Sequence, residues 1–217
     1  MTEIYDINKH FDLSHTLLNE FIKKEKNVLN IVSKLKDEVI KLGNTLSLDE
    51  YDKLKSDVWI SKSAKVAFTS TIQAPAIIGH NSEIRPGAYI RGGVIIGNDC
   101  VVGNSTEIKN SILFDNVQVP HFNYVGDSIL GYKVHLGAGV ILSNVRLDKK
   151  DIMIKIDDRL INTKTRKLGS IIGDEVEIGC NSVVCPGTLI EKKVKILPLN
   201  LVKGKLKEGS VYNKKGW

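Results

Sequence analysis

The sequence predicts a mainly β protein, a parallel β-helix whose short strands stack coil upon coil. A large apolar residue stands at every sixth position from Ile60 to Phe114, and the same period returns from Ile172 to Val202. A lone helix or strand does not have this period, because their repeats are about 3.6 and 2 residues. Val and Ile dominate the apolar share of 42%, and aromatic residues make up only 6%, as stacked strands require. Three such hexads would close one triangular coil of about 18 residues.

Residues 1–56 lack the six-residue period and are predicted to form a small helical cap of two to three helices. Apolar residues recur at helical spacing from Phe11 to Ile22 and again from Val28 to Leu42. We expect this cap to cover the open end of the solenoid, which would otherwise expose an apolar cross-section.

The predicted β-helix covers residues 57–206 and is interrupted twice. The period loses two residues within Pro120–Tyr124, where the backbone should leave its ideal path and present functional groups. Residues 143–170 then leave the register as a long, polar and basic loop insertion, and loops of this length are usually functional or disordered. The last segment, residues 207–217, is predicted to be a basic tail with little core.

Charge and cysteine content narrow the class of protein. The net charge of +6 is spread along the chain, which favours anionic small ligands such as phosphates or coenzyme A over nucleic acid. Cys100, Cys180 and Cys185 form no CxxC pair, and Cys100 occupies a small-residue position, so we interpret it as a buried free thiol. The chain shows neither a signal peptide nor an apolar run near the roughly 18 residues of a membrane helix. These features predict a cytoplasmic protein that binds neither nucleic acid nor membrane.

Histidine is the side chain whose charge changes near neutral pH, and one histidine lies in the first interruption. His121 is either a turn residue with a satisfied hydrogen bond or a functional base, and the residues around it leave both interpretations open. A metal site built from His80, His121 and His135 would need a clustered ligand spacing that the chain lacks, so no metal site is predicted.

Three segments carry motifs beyond the hexads. They are Val102–Asn110, the run Pro120-His-Phe-Asn-Tyr-Val-Gly-Asp127, and Leu136–Gly139 followed by Ser143 and Asn144. Together they resemble the C-terminal acetyltransferase domain of bifunctional glucosamine-1-phosphate acetyltransferase/N-acetylglucosamine-1-phosphate uridylyltransferase. Residues 144–148 with 165–173 are closer still to the archaeal sugar-phosphate nucleotidylyltransferases that carry the same domain. The resemblance covers about residues 58–205 and implies that the β-helix is left-handed.

This resemblance also implies a general base and a substrate site. His121 matches the family's histidine, which takes a proton from the sugar amine as that amine attacks the thioester of acetyl-CoA. The residues that match the family's sugar and phosphate ligands are Tyr124, Asn144, Arg91, Lys109 and Lys150. Cations at such positions suit a sugar 1-phosphate. From the residues alone, each of the three cations could equally be a solvated surface charge.

Other positions depart from the family's pattern. His135 stands where the bacterial family has an asparagine that helps to hold the substrate, and we expect it to contact the substrate. Cys180 and Pro198 replace small residues in the region that contacts coenzyme A. Arg166 and Lys167 of the insertion are expected to bind the phosphates of coenzyme A, on charge alone.

These observations predict an enzyme, an acetyl-CoA-dependent N-acetyltransferase acting on an amino-sugar phosphate or a nucleotide-linked amino sugar. Such hexapeptide transferases are typically homotrimers, with each site between adjacent β-helices and the insertion 143–170 closing it. Two alternatives stay open: a non-catalytic trimeric scaffold or sugar-nucleotide sensor, and an O-acyltransferase acting on a sugar hydroxyl. The chain lacks the Gly-rich segment and the Rossmann-like domain of the uridylyltransferase half, so no pyrophosphorylase activity is expected.

Overall fold

The computed structural model describes residues 7–25, 28–156 and 159–214. Parts of the predicted helical segment, insertion and tail (1–6, 26–27, 157–158 and 215–217) lie outside the described residues. The helices are α1 (Ile7–His10), α2 (Asn19–Glu25) and α3 (Val28–Gly43), with a 3-10 helix at Leu13–His15. Within the described ranges, none of them combines the length and the apolar character that crossing a bilayer demands.

The strands, in chain order, are β1 (Tyr51–Lys55), β2 (Val58–Ser61), β3 (Lys65–Val66), β4 (Thr71–Ile72), β5 (Ala76–Ile78), β6 (Glu83–Ile84), β7 (Tyr89–Ile90), β8 (Val94–Ile96), β9 (Val101–Asn104), β10 (Glu107–Lys109), β11 (Ser111–Leu113), β12 (Gln118–His121), β13 (Tyr124–Gly126), β14 (Ile129–Leu130), β15 (His135–Leu136), β16 (Ile141–Leu142), β17 (Met153–Ile156), β18 (Arg159–Asn162), β19 (Ile171–Ile172), β20 (Glu177–Ile178), β21 (Val183–Val184), β22 (Leu189–Ile190), β23 (Lys195–Ile196), β24 (Leu201–Val202), β25 (Lys205–Leu206) and β26 (Val211–Tyr212).

Three sheets form the sides of a parallel β-helix, and each full coil adds one strand to each sheet. The first sheet has the order β1-β2-β5-β8-β11-β14-β19-β22-β25. The second has the order β3-β6-β9-β12-β15-β20-β23-β26, and the third has the order β4-β7-β10-β13-β16-β21-β24. β1 runs antiparallel to β2 and ends the first sheet, whereas the coils pair in parallel. The predicted fold class, mainly β with a parallel β-helix, is confirmed.

The interior of the β-helix is a stack of Ile, Val and Leu side chains from all three sheets. Successive coils pair in register, so that Ile60, Ile78 and Ile96 fall into one column of the first sheet. Ile78 and Ile96 are fully buried, because each inward residue is covered by that of the next coil. In the first coil, by contrast, Val66 is exposed, and the neighbouring Phe68 is 98% exposed. The end of the stack at this first coil is therefore open among the described residues.

The N-terminal helices cover the outer face of the first sheet rather than that open end. On this face Ile77, Ile95 and Ile112 belong to a second apolar layer, separate from the interior, and are fully buried. Ile31 and Leu35 of α3 belong to the same layer and are fully buried. The physical reason is that strands of the first sheet carry apolar residues on both faces, so the outer face also needs a covering layer.

The shortening of the repeat is not where the spacing predicted it, because Pro120–Tyr124 keeps the period. The repeat instead loses one residue at each of two corners between the third and first sheets. At the first of these corners the successive inward residues are Ile108 and Leu113, and at the second they are Val125 and Leu130. The two members of each pair are five positions apart instead of six. Coils of 17 residues result at these places, as the pairing of Ile108 with Val125 requires.

Phe114 explains why the spacing misplaced the shortening. It stands six positions after Ile108, but Leu113 pairs with Ile96 and holds the inward position. The Phe114 ring belongs instead to the outer apolar layer, where its centroid lies 5.2 Å from that of Phe11. Where neighbouring residues are both apolar, spacing cannot tell which of them faces the interior.

The insertion 143–170 contains an antiparallel hairpin, β17 with β18, rather than an entirely irregular loop. It leaves the β-helix after β16 and returns at β19, at a corner between the third and first sheets. Ile152, Ile154 and Leu168 are buried in the apolar layer that covers the first sheet. The Leu168 amide donates to the Asn144 carbonyl at 3.0 Å, which closes the base of the insertion.

Leu35→Ala tests the packing of α3 on the first sheet. The change removes a fully buried side chain and leaves a cavity, so we expect the free energy of unfolding to fall by about 2–5 kcal/mol. Leu48→Ala, at a position that is 64% exposed, is the matched control and should change it by less than about 0.5 kcal/mol. Chemical denaturation followed by circular dichroism measures both values, and equal effects would contradict the packing of α3 described above.

Candidate active site

One corner of the β-helix, between the third and first sheets, gathers polar residues from successive coils. Arg91 follows the inward Ile90, and Lys109 follows the inward Ile108. These two inward residues pair, so the two cations lie in adjacent coils at the same corner. The insertion begins at this corner too, and it brings in Asn144. The register of the coils therefore assembles side chains that are far apart along the chain.

The carboxylate of Asp127 is the centre of this corner. Asp127 is buried and accepts hydrogen bonds from Lys109 Nζ at 3.4 Å, from Asn110 Nδ2 at 2.8 Å and from Asn144 Nδ2. A buried carboxylate needs such donors, because it has lost the hydrogen bonds of water. The network holds the ammonium group of Lys109 and the amide of Asn144 in defined positions.

Tyr124 lies on the third sheet beside the same corner. Its register partner in the preceding coil is Glu107, whose Oε1 accepts a hydrogen bond from Arg91 Nη1 at 2.9 Å. Burial, reinforced by the carboxylates of Glu107 and Asp127, raises the pKa of Tyr124. The hydrogen bond to Glu107 raises the pKa of Arg91. Tyr124 therefore keeps its proton at neutral pH and can donate a hydrogen bond, while Arg91 keeps its charge.

A glycine is needed where Tyr124 and Asn144 meet. A Cβ atom at Gly126 would lie 2.6 Å from Tyr124 Oη and 2.8 Å from Asn144 Nδ2. These separations are shorter than van der Waals contact, so a side chain at this position would force the two polar groups away from it.

His121 lies at the opposite edge of the third sheet, at the corner with the second sheet, where it ends β12. Its side chain is exposed, and its imidazole makes no hydrogen bond to the described residues. The backbone of His121, unlike its side chain, is fixed by hydrogen bonds. The His121 amide donates to Asn123 Oδ1 at 3.2 Å, and the His121 carbonyl accepts from the Gly139 amide at 3.0 Å. Asn123 is itself buried and donates to the Gly137 carbonyl at 2.8 Å. An imidazole on such a fixed backbone is accessible to a substrate.

The predicted coenzyme A contacts Cys180 and Pro198 lie at the same corner as His121, in later coils. The Asn181 amide donates to the Ala138 carbonyl and the Leu199 amide donates to the Cys180 carbonyl, which aligns the corner residues of these coils. Coils are spaced by about 4.8 Å. Cys180 is therefore about 10 Å, and Pro198 about 14 Å, from His121 along the axis.

His135 is on a different face from the other predicted substrate contacts. It lies on the second sheet, where it pairs with Gln118. Its ring Nδ1 is 2.9 Å from Glu177 Oε2, in a partly exposed pair. The structure therefore does not bring His135 to the cluster around Asp127 within one chain.

The basic residues of the insertion divide between two clefts. Lys150 and Arg166 line a cleft of about 640 Å³ beside the hairpin. In this cleft Arg146 forms two hydrogen bonds to Asp148, at 2.8 and 2.7 Å, which lower the pKa of the Asp148 carboxyl. Lys167 lines a separate groove, which it shares with Lys109. The structure thus brings Lys167, but not Lys150, to the corner that holds Asp127.

No three His, Cys, Asp or Glu side chains come together as metal ligands among the described residues. The three histidines considered from the sequence lie at separate places. His80 Nδ1 is 2.7 Å from Ser61 Oγ at a corner between the first and second sheets, His121 is at the next corner, and His135 pairs with Glu177.

Two residues of the cluster, Glu107 and Asn110, were not found from the sequence. Asn110 stands 17 positions before Asp127, which is one shortened coil, so knowledge of the true coil length would have revealed the pair. Glu107 lies in the same short segment as Lys109, and its partner Arg91 lies in the preceding coil. A search for opposite charges one coil apart could have detected this ion pair.

Comparison with known proteins adds family information to this geometry. Residues 72–195 match the protein family described as the GMPPB C-terminal domain. A bifunctional sugar-1-phosphate nucleotidylyltransferase/acetyltransferase from Sulfurisphaera tokodaii is 30% identical over 177 residues, which cover 82% of this chain and 44% of that protein. A bifunctional protein GlmU from Methanococcus aeolicus is 33% identical over 214 residues, covering 84% of this chain and 51% of that protein. The chain spans about half the length of these two curated relatives.

Among solved structures, one similar chain is a mutant of AntD, an N-acyltransferase from Bacillus cereus in complex with dTDP-4-amino-4,6-dideoxyglucose and coenzyme A. The two sequences are 21% identical, and the match covers 72% of this chain and 75% of that one. The TM-score is 0.35.

Asp127→Asn tests whether the carboxylate organises the corner. The substitution keeps the shape of the side chain but leaves too few acceptor sites for the three donors of Lys109, Asn110 and Asn144. We expect the free energy of unfolding to fall by about 1–3 kcal/mol. Asp52→Asn, at an exposed position of β1, is the control and should be near neutral. Chemical denaturation provides both values, and a neutral Asp127→Asn would show that the carboxylate charge is dispensable.

Proposed function

The chain belongs to the family of the GMPPB C-terminal domain, and we propose that it is an acetyl-CoA-dependent N-acetyltransferase. Its acceptor is an amino-sugar phosphate, such as glucosamine 1-phosphate, or a nucleotide-linked amino sugar. The name of the relative from Sulfurisphaera tokodaii, which includes acetyltransferase, supports this class of reaction. The observation that carries the proposal is the arrangement of two groups at opposite edges of the third sheet. The exposed His121 is at one edge, and the cations Arg91 and Lys109 are at the other.

An amino-sugar phosphate matches this arrangement, because its phosphate and its amine are at different positions on the sugar ring. The phosphate can bind at the edge with the cations while the amine lies toward the edge with His121. Arg91 and Lys109 bind the phosphate through charge-assisted hydrogen bonds. Tyr124 and Asn144, which lie near the same corner, hydrogen-bond to the hydroxyl groups of the sugar. The amine then faces His121.

The proposed reaction is a direct acyl transfer. The amine nitrogen attacks the thioester carbonyl carbon of acetyl-CoA, and His121 accepts the proton that the amine gives up. The carbon–sulfur bond then breaks, and coenzyme A leaves as a thiolate that takes up a proton. An imidazole suits this role because it can accept a proton through a ring nitrogen and release it again near neutral pH. The N-acetylated sugar phosphate belongs to the class of compounds that nucleotidyl transfer consumes, so the step would precede formation of UDP-N-acetylglucosamine.

Acetyl-CoA is proposed to lie along the corner that carries His121, with Cys180 and Pro198 beside it. This corner is continuous over several coils, as a long ligand needs. Arg166, which is proposed for its phosphates, lies on the insertion at another corner of the same chain, so a neighbouring subunit would supply it. Lys167, the second cation expected there on charge alone, lines the groove beside Lys109 instead.

We accordingly propose a homotrimer in which the third sheet faces a neighbouring β-helix. Along this sheet Ile141 pairs with Val183, and Val183 pairs with Leu201. Val183 is 37% exposed and Leu201 is 51% exposed, so a packed neighbour would remove apolar surface from water. The insertion of that neighbour would also bring Lys150, which lies away from Arg91 within one chain, to the open side of the site.

His121→Ala tests the general base. We expect kcat to fall by roughly 10²–10⁴-fold, because the base accepts a proton from the amine in the transition state. KM for both substrates should change little, because the base does not hold either substrate in the ground state. Release of free thiol from acetyl-CoA in the presence of glucosamine 1-phosphate measures the rate. His80→Ala is the control, since His80 lies at a corner away from the third sheet, and it should keep the full rate.

The same assay tests the function itself. Turnover of amino-sugar phosphates or nucleotide-linked amino sugars, but not of glucose 1-phosphate, is the expected pattern. Turnover of glucose 1-phosphate instead would indicate transfer to a hydroxyl. No turnover over the whole panel, with no calorimetric binding of coenzyme A, would overturn the enzyme proposal in favour of a scaffold. A full rate for His121→Ala would place the base elsewhere.

Arg91→Gln tests the phosphate contact. We expect KM for glucosamine 1-phosphate to rise by about 10–100-fold, because a charge-assisted hydrogen bond to the phosphate is lost, while KM for acetyl-CoA stays the same. Arg85→Gln is matched to it, since Arg85 also pairs with a glutamate, Glu83 Oε1 at 3.1 Å, and is similarly exposed. Arg85 follows β6 and therefore lies at the other edge of the third sheet, away from Arg91. Initial-rate kinetics separate the two constants. An equal rise for both variants would mean that the effect is one of net charge rather than of this site.

A further inference from the structure

A groove runs between α3 and the corner that holds Asp127. One wall is α3, with Ser33 and Lys36. The other wall is the returning limb of the insertion, with Lys164 and Lys167, and the floor contains Lys109 and Asp127. The groove has a volume of about 530 Å³, which is in the range of roughly 300–1,000 Å³ typical of small-molecule sites.

The charge of this groove is strongly positive. Its lining contains four lysines, Lys36, Lys109, Lys164 and Lys167, and one carboxylate, that of Asp127. Asp127 is already bonded to Lys109 and to two amides. The other three lysines are exposed and form no ion pair with the described residues. Like charges gathered in a cleft repel one another and attract an anion, because the low-dielectric walls focus their field.

The helical segment is held in place to form this wall. Asn110 Nδ2 donates to the Val32 carbonyl of α3 at 3.2 Å and also to Asp127. The stem of Lys36 lies over Gly93, where a Cβ atom would be 2.8 Å from Lys36 Cγ. α3 lies before the residues that match the family, 72–195. The groove therefore lies between the β-helix and a helix that precedes the matched residues.

We infer that the groove binds the diphosphate group of a nucleotide-linked amino sugar, an inference that rests on the acceptor class of the proposed function. Lys109 belongs both to the groove and to the corner with Arg91, so a ligand whose diphosphate occupies the groove has its sugar next to the proposed site. Three separate ammonium groups suit a diphosphate better than a single phosphate, because its negative charge is spread over two phosphates and more oxygen atoms. Ser33 adds a hydroxyl group to the rim.

Binding of uridine diphosphate, pyrophosphate, glucosamine 1-phosphate and coenzyme A is measured by calorimetry, without acyl transfer. The groove variant carries Lys36→Gln, Lys164→Gln and Lys167→Gln. The control carries Lys65→Gln, Lys195→Gln and Lys207→Gln, which remove the same charge from exposed positions outside the groove. We expect the groove variant to bind uridine diphosphate and pyrophosphate roughly 30-fold or more weakly than the wild type, since several charge-assisted hydrogen bonds are lost. The control should stay within about 3-fold, the screened effect of distant charges.

A second variant distinguishes a loss of affinity caused by lost charge from one caused by misfolding. Replacement of the same three lysines by arginine keeps the cations and should retain most of the affinity for uridine diphosphate. The inference is overturned if the groove variant binds like the control, or if the wild type binds neither uridine diphosphate nor pyrophosphate. It is also overturned if only glucosamine 1-phosphate or only coenzyme A loses affinity in the groove variant, since the groove would then serve a different ligand.

The experiments distinguish an incorrect assignment of the groove from an incorrect enzyme proposal. If glucosamine 1-phosphate is acetylated but the groove variant binds every probe normally, the enzyme proposal stands and the groove assignment falls. If no amino sugar is acetylated but the groove variant loses uridine diphosphate, the groove assignment stands as an anion site and the enzyme proposal falls.

Discussion

The rest of the structure depends on the in-register stacking of each coil on the next. Backbone amides of one coil donate to carbonyls of its neighbour, as Arg91 does to Ile108 at 2.8 Å, and the inward apolar residues fill the interior behind them. Because equal positions of successive coils form columns, the place of a residue within its hexad decides which sheet or corner it occupies. Functional side chains from distant coils can therefore meet on a rigid surface.

The two shortened coils show how a backbone requirement and a polar site coincide. Asn110 and Asp127 turn the chain at these corners with φ of 46° and 48°, a left-handed conformation that Asn and Asp tolerate better than most residues. Their short side chains then bond to each other at 2.8 Å, and the same carboxylate holds Lys109 and Asn144. The residues that permit the tight turn are thus the residues that organise the cluster, so changes at the turn should also affect the cations beside it.

Much of the fold could be predicted from the sequence, but less of the site. The six-residue period predicts the β-helix because the interior accepts one large apolar residue per short strand. The period could not identify the shortened corners, since Leu113 and Phe114 are both apolar and only coil pairing shows which one is inward. The sequence motifs selected Lys109, Tyr124 and Asn144, which the structure brings together. They could not reveal that His135 lies on another face within one chain, because that depends on how each coil turns.

The sequence by itself determined the repeating unit, the presence of N-terminal helices and the types of residue that could carry chemistry, because these follow from local spacing and side-chain properties. Only the tertiary structure decided that the helices cover the outer face of the first sheet, that Asp127 binds Lys109, and that Lys36 faces Lys167 across a groove. Such contacts join residues separated by one coil or by more than a hundred positions. Their geometry is set by the stacking of whole coils and by the apolar layer that covers them, which no local pattern encodes.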